Sequence, residues 1–262
     1  MIPKVIHYCW FGKKPLPKAA VKCIDSWKKN LPEYEIREWN EDNFDISCCA
    51  YVKEAYEAKK WAFVTDYVRL YVLVTHGGIY MDTDVEVLKS LDPFLQHEAF
   101  SGFQTDSEVP TGIMACEKGY PLFDKLLHDY DGRHFKMDDG TYDIKFTNVD
   151  AITASCVEKG LILNNELQVI DGFALYPKDY FCAKDYKTRD VNITENTVSV
   201  HHFAGSWTNP EDKMEVRILE KTGRKNKKLG KALSAPARGA RRVRWSVESR
   251  VSKAKRRKNN EQ

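Results

Sequence analysis

The chain has 262 residues, 42% of them apolar and 12% aromatic, enough for a substantial core and too many for a globally disordered protein. No apolar run approaches the roughly 18–20 residues of a membrane span, and the N-terminus lacks the apolar block of about 7–15 residues that marks a signal peptide. The net charge of +3 is unevenly divided: residues 213–262 carry 18 Lys/Arg against 4 Asp/Glu, leaving 23 against 34 in residues 1–212. An acidic globular domain, 1–212, followed by a basic tail, 213–262, is therefore expected. Seven cysteines with no C-x-x-C spacing argue against a disulfide framework or zinc knuckle and for reduced cytosolic thiols.

In chain order, Val5–Trp10 reads as a strand running into a turn at Phe11-Gly12-Lys13, and Lys18–Lys29 as a helix closed by Asn30-Leu31-Pro32. Tyr34–Trp39 alternates apolar and charged residues, as a half-buried strand does, so the first forty residues suggest a βαβ unit and an α/β domain. A helical stretch is expected from Val52 to Thr75. Trp61, Val64, Val68, Tyr71 and Val72 mark one buried face, and Phe63, Leu70 and Val74 add a second. Asp66 and Arg69, three apart on the strip left over, need a reason on so apolar a helix: either each other or a ligand. Gly77-Gly78 ends the helix as a C-cap. An apolar strand then runs into Asp82-Thr83-Asp84, and a second alternating strand leaves it. Further strands are expected at Ala99–Phe103, Gly112–Cys116 and Val198–His202, helices at Pro121–Tyr130 and Asn148–Glu158, and a polar loop at Arg133–Lys145.

Two carboxylates one residue apart at a strand end suit a hard divalent cation such as Mn²⁺ or Mg²⁺, because a loop lets both side chains converge where a strand would splay them. With 20 aspartates in the chain, about 1.5 D-x-D matches arise by chance. A second one exists, Asp129-Tyr130-Asp131, at a helix end, where a surface cluster is expected.

Asp66-x-x-Arg69 followed by Gly77-Gly78-Ile79-Tyr80-Met81-Asp82-Thr83-Asp84 resembles the DXD-containing sugar transferases of glycosyltransferase family 32, which includes fungal mannosyltransferases and bacterial capsular-polysaccharide enzymes. The opening Ile2-Pro3-Lys4-Val5-Ile6-His7-Tyr8-Cys9-Trp10-Phe11-Gly12 and the ending His201-His202-Phe203-Ala204-Gly205-Ser206-Trp207 are similar to that family's start and finish. The catalytic domains of clostridial glucosylating toxins show a more distant version. The resemblance implies a GT-A type, Rossmann-like α/β domain with a mixed central sheet, a UDP- or GDP-sugar donor, a divalent metal and retention of anomeric configuration. It matches Trp10 to the aromatic that stacks on the donor's base, although a core tryptophan is the plainer structural use. Asp66 and Arg69 match the pair that reaches the donor's ribose and sugar hydroxyls. Asp82 would bridge ribose and metal, and Asp84 would hold the metal directly. A histidine would complete the metal's ligands. His202 is favoured by its spacing to Gly205 and His201 is the alternative, since a strand alternates its faces. Ser206 and Trp207 would close over the pyrophosphate. Many relatives carry a Gly-Pro motif where this chain has Thr147-Asn148-Val149-Asp150. Asn148 and Asp150 either touch the donor sugar or acceptor, or serve as helix cap and first-turn carboxylate.

Retention without an evident carboxylate nucleophile suggests front-face attack by the acceptor hydroxyl, the departing phosphate oxygen taking its proton. In the tail, Val243, Val247 and Val251 share a helical face among cations and Trp245. That pattern suggests either an amphipathic helix on an anionic inner membrane, bringing the enzyme to a lipid-linked or oligosaccharide acceptor of bacterial surface polysaccharide, or a disordered solubilising segment. A specific nucleic-acid site is not expected beside an acidic body. Two rivals are a non-catalytic membrane-associated protein and a haloacid-dehalogenase-like phosphohydrolase. The latter places Thr two residues after the second aspartate, where this chain has Glu86.

Overall fold

The computed structural model describes residues 1–144, 147–205, 214 and 218. Met1–Phe135, Ile144–Tyr186 and Val191–Ala204 form one unit, an α/β domain. Its strands are β1 (Val5–Cys9), β2 (Glu35–Trp39), β3 (Gly78–Met81), β4 (Val85–Val87), β5 (Ala99–Gly102), β6 (Ile113–Cys116), β7 (Gln168–Ile170), β8 (Phe173–Tyr176) and β9 (Ser199–His201). Its helices are α1 (Lys18–Asn30), α2 (Ala50–Glu57), α3 (Trp61–His76), α4 (Pro121–His128), α5 (Asn148–Glu158) and α6 (Lys178–Phe181).

Seven strands make one mixed sheet in the order β2-β1-β3-β6-β5-β8-β7, with β1 parallel to β2 and β3, β6 antiparallel to β3 and β5, and β8 parallel to β5. The expected α/β class with a mixed central sheet is therefore what the chain adopts. Strand alternation sends side chains into two cores. Ile6, Tyr8, Ile79, Met81, Ile113 and Ala115 face α1, while Tyr80, Met114 and Cys116 face the side of α2, α3 and α4. Such two-sided burial explains why the central strands are nearly continuous apolar runs.

Three local features place the D-x-D segment. Gly77 and Gly78 turn the chain from α3 into β3 with φ of 68° and 105°, and a Cβ at Gly78 would stand 2.6 Å from the Val5 carbonyl oxygen. Asp82 N–H donates to the Gly112 carbonyl (2.8 Å), and Val85 N–H closes a turn on the Asp82 carbonyl (3.0 Å). Finally, α1 grips β4: Trp27 Nε1 donates to the Val85 carbonyl (2.7 Å), and Asn30 Nδ2 donates to that of Val87 (2.8 Å).

Several expectations are corrected. The single helix from Val52 to Thr75 is two helices. Lys59 adopts a left-handed conformation (φ 56°), and α2 closes as a Schellman motif, Lys60 N–H reaching the Ala55 carbonyl and Lys59 N–H that of Tyr56 (both 2.9 Å). A lysine in the position glycine usually fills leaves no sequence signal for the break. The last strand, β9, pairs with β4 in a separate antiparallel ribbon rather than with the main sheet. β7, β8 and α6 lie where no element was expected; each has three or four residues, too short for a periodic pattern.

Residues 136–143, 187–190 and 205–262 group as a second unit. Its described loop is closed by a Lys136–Tyr142 bridge and by Met137 N–H donating to the Thr141 carbonyl (2.8 Å). The boundary that charge draws at 212/213 and nearly all of the basic tail fall outside the described residues.

Candidate active site

At the end of β3 the chain reaches Asp82 and Asp84. Because the turn reverses direction between them, both carboxylates face the ring of His201 on β9, which pairs in register with Val85. His201 Nε2 lies 3.2 Å from Asp84 Oδ1 and 3.8 Å from Asp82 Oδ2. The three side chains can present ligand atoms all within 4.8 Å of one another. Two carboxylates suit Mn²⁺ or Mg²⁺, and Mn²⁺ tolerates an imidazole beside them better than Mg²⁺ does, so the donor set fits the implied cation, Mn²⁺ in particular. The glycine that opens β6's approach confirms how tightly the ring is placed: a Cβ on Gly112 would stand 2.5 Å from His201 Cε1. Phe203 stacks on the imidazole, the ring centres 4.1 Å apart.

Electrostatics agree with a site that draws positive charge. Burial opposes a charged His201, yet the Asp84 carboxylate outweighs it and holds the imidazole pKa up to about 10. Asp84, in turn, is held well below the usual carboxylate range. Its burial works against this, while His201 and the Ala204 N–H, which donates to Oδ2 at 2.6 Å, stabilise the anion.

The structure corrects the preference for His202. Strand alternation turns its ring to the opposite face, where Nε2 bonds Glu86 Oε2 at 2.8 Å, while its main-chain N–H donates to the Asp84 carbonyl (2.9 Å).

Beside the aspartates lies Arg69, buried to 5% exposure. Its Nη2 is 3.3 Å from Asp66 and 3.5 Å from Asp82, and Nη1 donates to the Thr111 carbonyl (2.5 Å). The guanidinium lies 4.7 Å over the Tyr80 ring, whose hydroxyl donates to Asp82 (2.8 Å). The two charges on the apolar helix thus answer each other, and Arg69 also reaches the D-x-D. Burial lifts the Asp66 pKa to about 6 despite Arg69. Tyr80 and Gly112 had no assigned role in the sequence. Tyr80 could have been noticed as a polar end inside an otherwise apolar strand, whereas Gly112 carries no such signal.

Trp10 is half-buried just past β1, three residues beyond His7 as Thr83 is beyond Tyr80, with which His7 pairs; its Nε1 donates to the Lys14 carbonyl (2.5 Å). Asn148 is buried, with both ends of its amide engaged by Tyr130 and Asp66. Asp150 makes the contacts of the capping alternative. Its carboxylate accepts from the Thr147 N–H (2.9 Å) and Thr147 hydroxyl (2.8 Å) in a capping box that starts α5. Ser206 and Trp207 lie outside the described residues.

Residues 17–101 match the family model described as a glycosyltransferase sugar-binding region containing a DXD motif. Inositol phosphoceramide mannosyltransferase 3 of Schizosaccharomyces pombe is 30% identical over 135 residues, 49% of this chain and 37% of that protein. Mannosyl phosphorylinositol ceramide synthase CSH1 of Saccharomyces cerevisiae is 27% identical over 151 residues, 52% and 36% of the two chains. The chain thus spans little more than a third of the length of these two relatives. An uncharacterized glycosyltransferase, L373, of Acanthamoeba polyphaga mimivirus is 25% identical over 219 residues, 76% and 83%. Among solved structures, PaToxG Glycosyltransferase aligns with a TM-score of 0.47 at 19% identity, covering 61% of this chain and 70% of that one. The resemblance read from the D-x-D run is thus matched, over residues 17–101, by the model of the DXD-containing sugar-binding region of glycosyltransferases.

Proposed function

We propose that the protein transfers a sugar from a UDP- or GDP-sugar to a hydroxyl acceptor in a metal-dependent reaction that retains anomeric configuration. The observation that carries this reading is the convergence of Asp82, Asp84 and His201 beside the buried Arg69, which pairs with Asp66. Asp82, Asp84 and His201 would hold Mn²⁺ or Mg²⁺, which when bound supplies Lewis-acid stabilisation to the departing nucleoside diphosphate. Arg69 keeps a fixed positive charge next to that region, and Asp66 offers a carboxylate to ribose or sugar hydroxyls. Trp10 presents an aromatic face for the base, and Ser206 and Trp207 are assigned to the pyrophosphate by the resemblance. Retention then follows from front-face attack by the acceptor, the leaving phosphate oxygen taking its proton.

The names of the fungal relatives favour a mannose-bearing donor and a lipid-linked acceptor as the first to try. The basic tail supports placing the enzyme at the cytoplasmic face of an anionic membrane, in surface-polysaccharide synthesis. Binding of the full chain to vesicles with and without phosphatidylserine tests that placement; equal retention on both would remove it. The activity itself is tested by nucleotide release from a panel of UDP- and GDP-sugars with Mn²⁺ or EDTA. Slow hydrolysis of one donor, lost on chelation and in Asp84→Asn, is expected. No release from any donor would instead favour a non-catalytic binding protein.

A further inference from the structure

The first turn of α5 reaches the donor side of the site through a side chain. Asn148 Nδ2 donates to the main-chain carbonyl of Asp66 (2.6 Å), and its Oδ1 accepts from the hydroxyl of Tyr130 (2.6 Å), two residues beyond α4. A carbonyl oxygen only accepts, so the amide nitrogen must face Asp66 and the amide oxygen must face Tyr130; the hydroxyl hydrogen is committed with it. Tyr130 is 3% exposed, its ring edge-on to Tyr51 (4.8 Å) and Tyr67 (5.4 Å). The Arg133 guanidinium lies 5.1 Å over that same ring. The capping box at Thr147 and Asp150 fixes the turn that presents Asn148. On the far side of this junction the Asp66 carboxylate stands 3.3 Å from Arg69 Nη2, which stands 3.5 Å from Asp82. A continuous polar chain therefore runs from Tyr130 to the D-x-D segment.

We infer that Tyr130 and Asn148 are positioning residues for Asp66: the hydroxyl orients the amide, and the amide sets where the carboxylate stands to meet the donor's hydroxyls. The inference rests on the donor-binding role proposed for Asp66. It assigns a place to Tyr130, which lies in the second D-x-D pattern, outside the site, and it gives Asn148 a role through the Asp66 main chain, with one N–H and one oxygen lone pair of its amide committed.

The test is steady-state kinetics of donor hydrolysis by the full chain with Mn²⁺, alongside melting curves. Tyr130→Phe keeps the ring and removes only the hydroxyl. The donor KM is expected to rise about 5–10-fold with kcat within two-fold, as loss of ground-state and transition-state binding alike requires. Asn148→Ala should raise KM further, by about ten-fold or more. The double variant should be no worse than Asn148→Ala, because the hydroxyl acts only through the amide. Should Asn148→Ala fail to fold, the Tyr130→Phe result decides alone. A folded Tyr130→Phe with wild-type KM, or additive losses in the double variant, overturns the inference while leaving the transferase reading intact. A wild type that turns over no donor removes both.

Discussion

Two D-x-D segments lie in this chain and only one makes a site. In Asp82-Thr83-Asp84 the turn after a buried strand brings both half-buried carboxylates to within 3.8 Å of one imidazole. In Asp129-Tyr130-Asp131, which follows a helix, the buried residue is the tyrosine between them and both carboxylates are exposed. The same three-residue pattern therefore does opposite things. Half-buried, convergent carboxylates keep a stronger field that a cation can relieve, whereas exposed ones are screened by water. What defines the site is the turn and the scaffold that aims it, not the pattern.

That contrast can be broken by mutation. The largest effect is expected at Asp84→Asn, which removes a charged ligand: donor hydrolysis should fall by about 100-fold or more, while Asp131→Asn stays within two-fold, measured side by side as nucleotide release. Comparable losses at both would erase the distinction. Next is Gly112→Ala. Its Cβ would displace the His201 ring, so the Mn²⁺ concentration for half-maximal activity should rise by about ten-fold or more with the helical circular dichroism retained. An unchanged Mn²⁺ requirement would show that the ring is not held there.

Two further predictions concern the scaffold. His7 is fully buried; Nε2 lies 2.9 Å from the Gly77 carbonyl as its donor, and Nδ1 accepts from Trp39 Nε1 at 3.1 Å, so the neutral ring is fully paired. Burial lowers its pKa from 6.5 to about 4, the Gly77 bond opposing. The unfolded chain then binds the extra proton between those values, so this contribution is complete above pH 6.5 and falls away towards pH 4, by up to about 3 kcal/mol. Denaturant titrations of wild type and His7→Gln at pH 7 and 4.5 should show a smaller pH dependence in the variant; parallel curves would contradict the assignment. The smallest effect belongs to Thr147→Ala, which removes the hydroxyl of the α5 capping box and should lower stability by about 1 kcal/mol in the same assay. No loss would mean that Asp150 is free for another role.

How much of this was legible in the sequence depends on what each feature rests on. The strands β1, β3 and β6, the burial of α3 and the charged pair upon it follow from periodicity, since one face or both must leave water. The D-x-D turn was legible because glycines, an apolar strand and two aspartates occur in sequence. The choice between His201 and His202 was not: it depends on the register of β9 against β4, set by a pairing partner more than a hundred residues away. Asp150 was ambiguous for a related reason, because a capping carboxylate and a ligand carboxylate look alike until the hydroxyl at Thr147 is seen to bind it. Tyr130 and Gly112 were illegible, as their roles exist only where separate elements meet.

The most direct measurement is Mn²⁺-dependent release of nucleotide from the cleaved donor, titrated for wild type, His201→Asn and His202→Asn. Release should saturate with Mn²⁺ and vanish in EDTA, with the Mn²⁺ requirement raised by about ten-fold or more in His201→Asn and moved far less in His202→Asn. Release that persists in EDTA, or a requirement shifted by His202→Asn and not by His201→Asn, would contradict a metal site built from Asp82, Asp84 and His201.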